Sequence, residues 1–149
     1  MTLRLDNFLP YRLSVLSNQV SQGIAKTYSE PYGLSVTEWR ILAILGRFDG
    51  LSATEVAERS AMDKVAISRA VKRLIQAGQL KRQQDQADGR SRTLWLTRQG
   101  RAVYEAIAPA ALDYEQALIA VLSDQERVLL DNMIDRLLEH THILSRSSS

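Results

Sequence analysis

The chain has 149 residues, which is enough for one domain of ordinary size with a core of its own. It has no cysteine, which excludes disulfides, thiolate metal sites and thiol-based redox sensing by its own residues. No apolar run is long enough to span a bilayer, and polar groups interrupt the first residues where a signal peptide would be apolar. We therefore expect a cytoplasmic protein without membrane attachment.

The net charge of +2 is distributed unevenly along the chain. Residues 51 to 101 carry eleven Lys or Arg and five Asp or Glu, which gives this segment a net charge of +6. The rest of the chain therefore has a net charge of −4. A basic centre between acidic ends is typical of a polyanion-binding module on a self-associating scaffold. A solvated charged surface gives a milder version of the same pattern.

The first predicted helix is marked by apolar residues three or four positions apart. These residues are Leu13, Leu16, Val20, Ile24 and Tyr28. Pro10 is tolerable in the first turn, and the segment from Pro31 to Gly33 ends the helix.

Four later helices have starts that local capping patterns define. Capping boxes pair Ser35 with Glu38, Ser52 with Glu55, and Ser123 with Glu126, while Asp63 caps without a box. Leu34 and Leu51 precede the first two caps and can pack on Trp39 and Val56. The pattern predicts helices over about 35–48, 52–60 and 63–77, with Gly78 just past the last of these.

After Gly78 the periodicity changes. Leu80 to Gln84 and Thr93 to Thr97 are β-prone, and the polar segment between them predicts a hairpin. Helical spacing returns after Thr97 and again after Ser123, with a kink expected at Pro109. The predicted fold class is therefore mainly α with one small β-hairpin.

Only Ala61 and Met62 separate the third and fourth helices, as in a helix-turn-helix whose second helix enters a major groove. One face of that second helix is apolar, with Ile67, Val71, Leu74 and Ile75. Another face carries Lys64, Val65, Ser68, Arg69 and Lys72. Arg and Ser side chains can read base edges, Val65 can touch a thymine methyl, and the lysines can neutralise phosphates. A solvated helix surface shows the same pattern, and the individual roles are not separable from sequence.

The hairpin loop adds a second signal for DNA. Gly89 permits a tight turn, and Arg90 and Arg92 lie at or near its tip. An arginine on a thin ribbon can enter a narrow minor groove, where the negative potential is concentrated. Asp88 either orients one of these arginines or simply forms the turn.

These motifs together resemble the MarR family of winged helix-turn-helix transcriptional regulators. The resemblance covers nearly the whole chain and rests on residues 51–60, Ile67 to Arg69, Lys72 to Leu74, Gly78 with Arg82, Asp88 to Arg90, Leu94 to Thr97, and Gly100. Two positions depart from the family pattern: Gln79 replaces an apolar residue, and Val65 with Ala66 replaces a Ser-Thr pair.

The resemblance implies one MarR-like domain over 1–149, in which a DNA-binding lobe at 34–100 lies between dimerisation helices at 1–33 and 101–149. It also implies a homodimer on a palindromic operator and a small-molecule effector, often an aromatic anion. The expected function is a repressor released by that ligand. No cofactor is expected.

Two sets of candidate site residues follow. The DNA-binding candidates are Thr54, Lys64, Val65, Ser68, Arg69, Lys72, Arg73, Asp88, Arg90 and Arg92. The ligand-binding candidates are Arg12, Tyr32, Trp39 and Arg40, because an arginine beside aromatic rings suits an aromatic carboxylate. A core position for Trp39 and surface or dimer ion pairs for the two arginines explain the same residues equally well.

Two other classes of protein compete with this interpretation. An enzyme is disfavoured because the chain has no phosphate loop and no nucleophile motif, and its two histidines, His140 and His142, cannot share a helix face to hold a metal. We expect no catalytic residue and no metal. A ligand-independent architectural DNA-binding protein is the second alternative, and equal binding to a palindrome and to random DNA would favour it.

Overall fold

The computed structural model describes residues 1–84 and 92–147. The elements are a 3-10 turn at Leu5–Asn7, α1 (Leu9–Ala25), α2 (Ser29–Tyr32), α3 (Val36–Arg47), α4 (Ala53–Ser60), α5 (Lys64–Gln76), β1 (Leu80–Gln84), β2 (Arg92–Leu96), α6 (Arg98–Ile119) and α7 (Asp124–Ser147). The mainly helical fold with one antiparallel hairpin confirms the predicted class. Among the described residues, no helix is both long enough and apolar enough to cross a membrane. The chain divides into two compact units, Met1–Leu112 and Asp113–Ser149.

The four predicted helix starts are confirmed by their hydrogen bonds. The Ser35 hydroxyl oxygen accepts from the Glu38 amide at 3.1 Å, and the Ser35 amide donates to the Glu38 carboxylate at 3.2 Å. The boxes at Ser52 and at Ser123 have the same two bonds, and the Asp63 carboxylate accepts from the Ala66 amide at 2.8 Å.

These caps also set the acidity of two carboxyl groups. The hydrogen bonds from Ser52 hold the pKa of Glu55 below its ordinary value, and those from Ser123 do the same for the pKa of Glu126. A lowered pKa in the folded state means that the caps stabilise the helices fully above the ordinary pKa. The part that depends on the ionised Glu carboxylates is lost as the pH falls through the lowered pKa, whereas the bonds to the Ser hydroxyl oxygens remain.

The first helix is shorter than its apolar spacing predicts. It ends at Ala25, and a separate single turn, α2, follows before Gly33 turns the chain with a φ of +64°. Tyr28 lies between the two helices and is fully buried, so its side chain joins the core although its backbone has left α1. Pro31 fits inside α2 because the amides of a first helical turn have no intrahelical partner to lose. The extra turn could not be read from spacing alone.

The hydrophobic core lies within the first unit. Its completely buried side chains come from the α1–α2 connection, α3, α4, α5, β2 and α6, and the largest are Tyr28, Ile41, Leu42, Leu45, Val56, Ile67, Val71, Leu74, Leu94 and Ile107. Burying side chains of this size stabilises the fold by about 1.5–3 kcal/mol each. The core therefore fixes α3, α4 and α5 against one another.

The hairpin is anchored to the core at its base. Its register pairs Leu80 with Leu96 and Gln84 with Arg92, and Leu51 adds an isolated bridge to Leu94. Asp49 ties this base to α6, because its carboxylate accepts from the Leu96 amide at 3.3 Å and pairs with Arg101 at 2.6 Å. The described part of the hairpin is thus held at a fixed position relative to α5 and α6.

Helix α6 begins in close contact with the residues that precede β1. The Thr97 hydroxyl donates to the Gly78 carbonyl at 2.6 Å and accepts from the Gly100 amide at 3.0 Å. A Cβ atom at Gly100 would overlap the backbone carbonyl of Gln79. Glycine is therefore required at position 100 by the approach of two backbones.

We expect Gly100→Ala to destabilise the protein strongly, because backbone atoms cannot yield as a flexible side chain would. Overpacking of this kind costs about 1–3 kcal/mol and sometimes more. Chemical denaturation measures the loss of unfolding free energy. Gln99→Ala, an exposed change in the same helical turn, is the matched control and should be nearly neutral. Equal stability of the two variants would contradict the close packing.

Gln79 brings a polar atom into the packed base of the hairpin. Its side-chain oxygen is buried and has no hydrogen-bond partner among the described residues. An unpaired buried acceptor costs about 1–3 kcal/mol. Having Gln79 in place of the apolar residue of the family pattern thus lowers the free energy of unfolding.

We expect Gln79→Met to raise the unfolding free energy by about 1 kcal/mol, because methionine has a similar shape and removes the unpaired oxygen. Thermal unfolding followed by circular dichroism measures the effect. Gln76→Met, at an exposed site on α5, is the control for a general gain from methionine. A lower melting temperature for Gln79→Met would indicate that an ordered water satisfies the Gln79 oxygen.

Candidate nucleic-acid interface

A tight turn joins α4 to α5. Ala61 has a φ of +57°, a left-handed conformation that usually favours glycine, and Asp63 then caps α5. The buried Ser60 hydroxyl donates to the Ala57 carbonyl at 3.0 Å and accepts from the Met62 amide at 3.3 Å. These bonds fix the conformation of the short turn between α4 and α5, which a helix-turn-helix requires.

Helix α5 has two distinct faces. Ile67, Ala70, Val71 and Leu74 are buried, and the opposite face is open to solvent. The exposed residues are Lys64, Val65, Ser68, Arg69, Lys72, Arg73 and Gln76. Four of them are cations, and the helix contains no acidic residue. This surface can attract and follow a polyanion.

Arg73 differs from the other cations of α5 because it has an ion-pair partner among the described residues. Its guanidinium lies 3.5 Å from the carboxylate of Glu38, whose side chain is 9% exposed. The same carboxylate accepts the Ser35 amide in the cap of α3. Glu38 thus connects the start of α3 to α5, and spacing along the sequence did not indicate this long-range contact.

The other DNA-binding candidates lie on neighbouring elements. Thr54 is exposed in the first turn of α4, and Arg92 is exposed at the start of β2. Lys81 and Arg82, which were not among the candidates, add exposed cations on β1. Asp88 and Arg90 lie outside the described residues, so their roles stay predictions.

The structure brings only some of the ligand-binding candidates together. Arg12 lines a cleft of about 260 Å³ on the N-terminal segment with Asp6, Tyr11 and Leu16. Tyr32 is exposed at the end of α2. Trp39 and Arg40 are neighbours on α3, and the Arg40 guanidinium donates to the Ser21 hydroxyl on α1 at 3.0 Å.

Trp39 is the centre of an aromatic stack. Its ring lies 5.6 Å from that of Tyr28 and 6.2 Å from that of Tyr104 on α6, both nearly parallel to it. Burial raises the pKa of the Tyr28 hydroxyl, and the positive charge of Arg40 partly offsets the rise. A Cβ at Gly46 would overlap the Tyr104 ring, so that glycine makes room for the stack. Tyr104 was not recognised from sequence because its partners are distant in the chain.

A capped amphipathic helix, cationic on its open face, follows a tight helix-helix turn and precedes a two-stranded hairpin. This combination defines a winged helix-turn-helix DNA-binding protein. The sequence model of the MarR family matches residues 32–91. A MarR family transcriptional regulator from Silicibacter pomeroyi DSS-3 is 30% identical, with 91% of this chain and 99% of that chain covered at a TM-score of 0.76. The chain belongs to the MarR family and is a DNA-binding transcriptional regulator.

Two further similarities concern proteins with more specific descriptions. An HTH-type transcriptional repressor of Mycobacterium bovis is 27% identical over 131 residues, which are 87% of this chain and 91% of that protein. The PcaV transcriptional regulator from Streptomyces coelicolor, solved in complex with its natural ligand, shares the fold at 23% identity and a TM-score of 0.71, with 93% and 97% of the chains covered. These relatives are regulators rather than enzymes, in agreement with the sequence.

The Arg73–Glu38 pair generates a prediction about DNA affinity. Lys72→Ala should reduce the slope of log affinity against log salt by about 0.9 for each phosphate that the protein no longer neutralises. Arg73→Ala should reduce that slope less, because Glu38 already neutralises part of the Arg73 charge. Filter binding or fluorescence anisotropy across a salt series measures both slopes.

The stability of the same variants provides an independent check. Arg73→Ala should lower the unfolding free energy more than Lys72→Ala, because it removes the cation beside the nearly buried Glu38 carboxylate, which among the described residues then keeps only the Ser35 amide. Gln76→Ala removes no charge from α5 and is the control for both measurements. An equal reduction of the slope in the two cationic variants would show that Arg73 leaves Glu38 to bind a phosphate.

Proposed function

We propose that this chain is a homodimeric, cytoplasmic repressor that binds a palindromic operator and is released by a small aromatic or anionic ligand. The cationic open face of α5 is the observation that carries the DNA-binding part of the proposal. The similarity to a mycobacterial repressor supports repression as the direction of control.

Uncovered apolar surface supports the dimer. In the first unit, α1 and the segment before it expose Leu5, Phe8, Leu9, Leu13 and Leu16. In the second unit, α7 has no buried residue and exposes Val128, Leu129, Leu130, Met133, Ile134, Leu137, Leu138, Ile143 and Leu144. Monomeric proteins rarely expose contiguous apolar patches of this extent. A second copy of the chain is the partner that both surfaces suit, since closed two-fold dimers are the commonest assembly.

We expect an obligate dimer at micromolar concentration, and analytical ultracentrifugation tests this. Leu137→Asp should dissociate or unfold the protein, because it buries an unpaired charge in the proposed interface. Asn132→Asp adds the same charge on a different side of α7 and should leave the dimer intact. A wild-type chain that is folded and monomeric at that concentration would rule out the proposed assembly.

The DNA-binding part is tested by selecting sites from randomised double-stranded DNA. A specific regulator should enrich a palindrome and protect it against a large excess of random DNA. An architectural protein would enrich nothing and would bind both DNAs equally. Arg69→Ala should relax the preference at one position of each half-site, whereas an equal loss on all sequences would make Arg69 a phosphate contact.

The release of the operator by a ligand is proposed from the chemistry around α3. Trp39 is only partly buried and provides aromatic surface, and Arg40 provides a nearby cation, which together suit an aromatic carboxylate. Arg12 and Tyr32 remain candidates for the same ligand. The PcaV structure, solved with its natural ligand, supports a ligand for this fold.

A panel of hydroxybenzoates, titrated against the dimer on its operator, tests this part. The variant Trp95→Phe leaves Trp39 as the only tryptophan, so quenching of its fluorescence reports binding near α3. Binding should release the operator, and Arg40→Gln should weaken both effects together. Release without any change at Trp39 would place the ligand elsewhere.

A further inference from the structure

Val65 is the one aliphatic residue of α5 that is exposed to solvent. It is 62% exposed, whereas Ile67, Ala70, Val71 and Leu74 of the same helix are buried. Because an α-helix has about 3.6 residues per turn, Val65 lies one turn before Ser68 and Arg69 and two turns before Lys72. It therefore occupies the middle of the open face, with polar and cationic groups around it.

The fold gives no reason for a valine at this position. A β-branched residue is a weak helix former, and its exposed side chain gains nothing from burial. The start of α5 is stabilised by Asp63, which caps the Ala66 amide, and this bond does not involve the Val65 side chain. The reason for valine is therefore to be sought in what the open face of α5 contacts.

The chemistry of the major groove restricts what valine can recognise. Its side chain neither donates nor accepts a hydrogen bond, so it cannot read the polar edges of the bases. The one apolar group in the major groove is the methyl at C5 of thymine. In the cytosine series, only 5-methylcytosine presents a methyl group at the same ring position.

We propose that Val65 makes recognition of the operator depend on a pyrimidine C5-methyl group at one position of each half-site. This inference rests on the proposed function, because it requires a specific operator. The ammonium of Lys72 holds the helix on the DNA, Arg69 reads another base of the half-site, and Val65 selects thymine by contact with its methyl group. A cytosine at that position is accepted better when it is 5-methylated.

The test replaces each thymine of the selected operator, one at a time, by deoxyuridine, which removes only the methyl group. At one position per half-site, the wild-type dimer should bind the uracil operator about fourfold more weakly than the thymine operator. This is the ratio of affinities expected when one methyl group is returned to water. Changing that position in both half-sites should weaken binding by about tenfold or more. Substitution at other thymines should have little effect.

The variant Val65→Ala identifies the side chain that reads the methyl group. It should bind the thymine and the uracil operators equally at the sensitive position, while its melting temperature should not fall, because the site is exposed and alanine is the better helix former. Ser68→Ala, on the same face, is the matched control and should keep the full dependence on the methyl group. In a parallel pair of operators, wild type should prefer 5-methylcytosine to cytosine about fourfold at that position, and Val65→Ala should not.

The outcomes separate the two levels of the proposal. A wild-type protein that selects an operator but tolerates uracil at every position overturns the role of Val65 and leaves the proposed function intact. The role is also overturned if Val65→Ala keeps the same sensitivity to uracil as wild type. A failure to enrich any sequence from random DNA overturns the proposed function and this inference together.

Discussion

Three side chains on one face of α5, those of Ile67, Val71 and Leu74, are completely buried against the rest of the first unit. Their burial stabilises α5 by several kcal/mol and leaves only one orientation of the helix about its axis. The open face, which carries the cations and Val65, follows from that orientation. A change that loosened the buried face would therefore move every candidate DNA contact on the helix at once.

The elements around α5 are secured by contacts that reach across the fold. Glu38 links the cap of α3 to Arg73, and Asp49 links the base of the hairpin to Arg101 on α6. The stacked rings of Tyr28, Trp39 and Tyr104 join the α1–α2 connection to α3 and α6. A displacement of Trp39 would thus shift α3, and the ion pair of Glu38 with Arg73 would transmit that shift to α5. This route gives a physical basis for testing whether a ligand near α3 alters DNA binding.

The proportion of the fold that could be predicted from sequence was high wherever the determining interaction is local. Capping hydrogen bonds join residues three positions apart, so the starts of α3, α4, α5 and α7 were readable directly. The two faces of α5 follow from a period of about 3.6 residues and were readable in the same way. The end of α1 was misplaced because the spacing of Tyr28 suits a helix, whereas the burial of its ring is satisfied just beyond one.

The candidate site was predictable in composition but only partly in geometry. The residues of α5 could be named from spacing, yet the pairing of Arg73 with Glu38 joins positions 35 residues apart, and no local pattern indicates it. The left-handed turn at Ala61 was likewise hidden, because alanine does not signal a positive φ as glycine does. Close backbone approach at Gly100 depends on where Gln79 lies in space. The sequence by itself therefore determines the capping hydrogen bonds and the faces of the helices, because these depend on residues a few positions apart. The packing between distant segments is decided only by the tertiary structure, because it depends on where those segments lie in space.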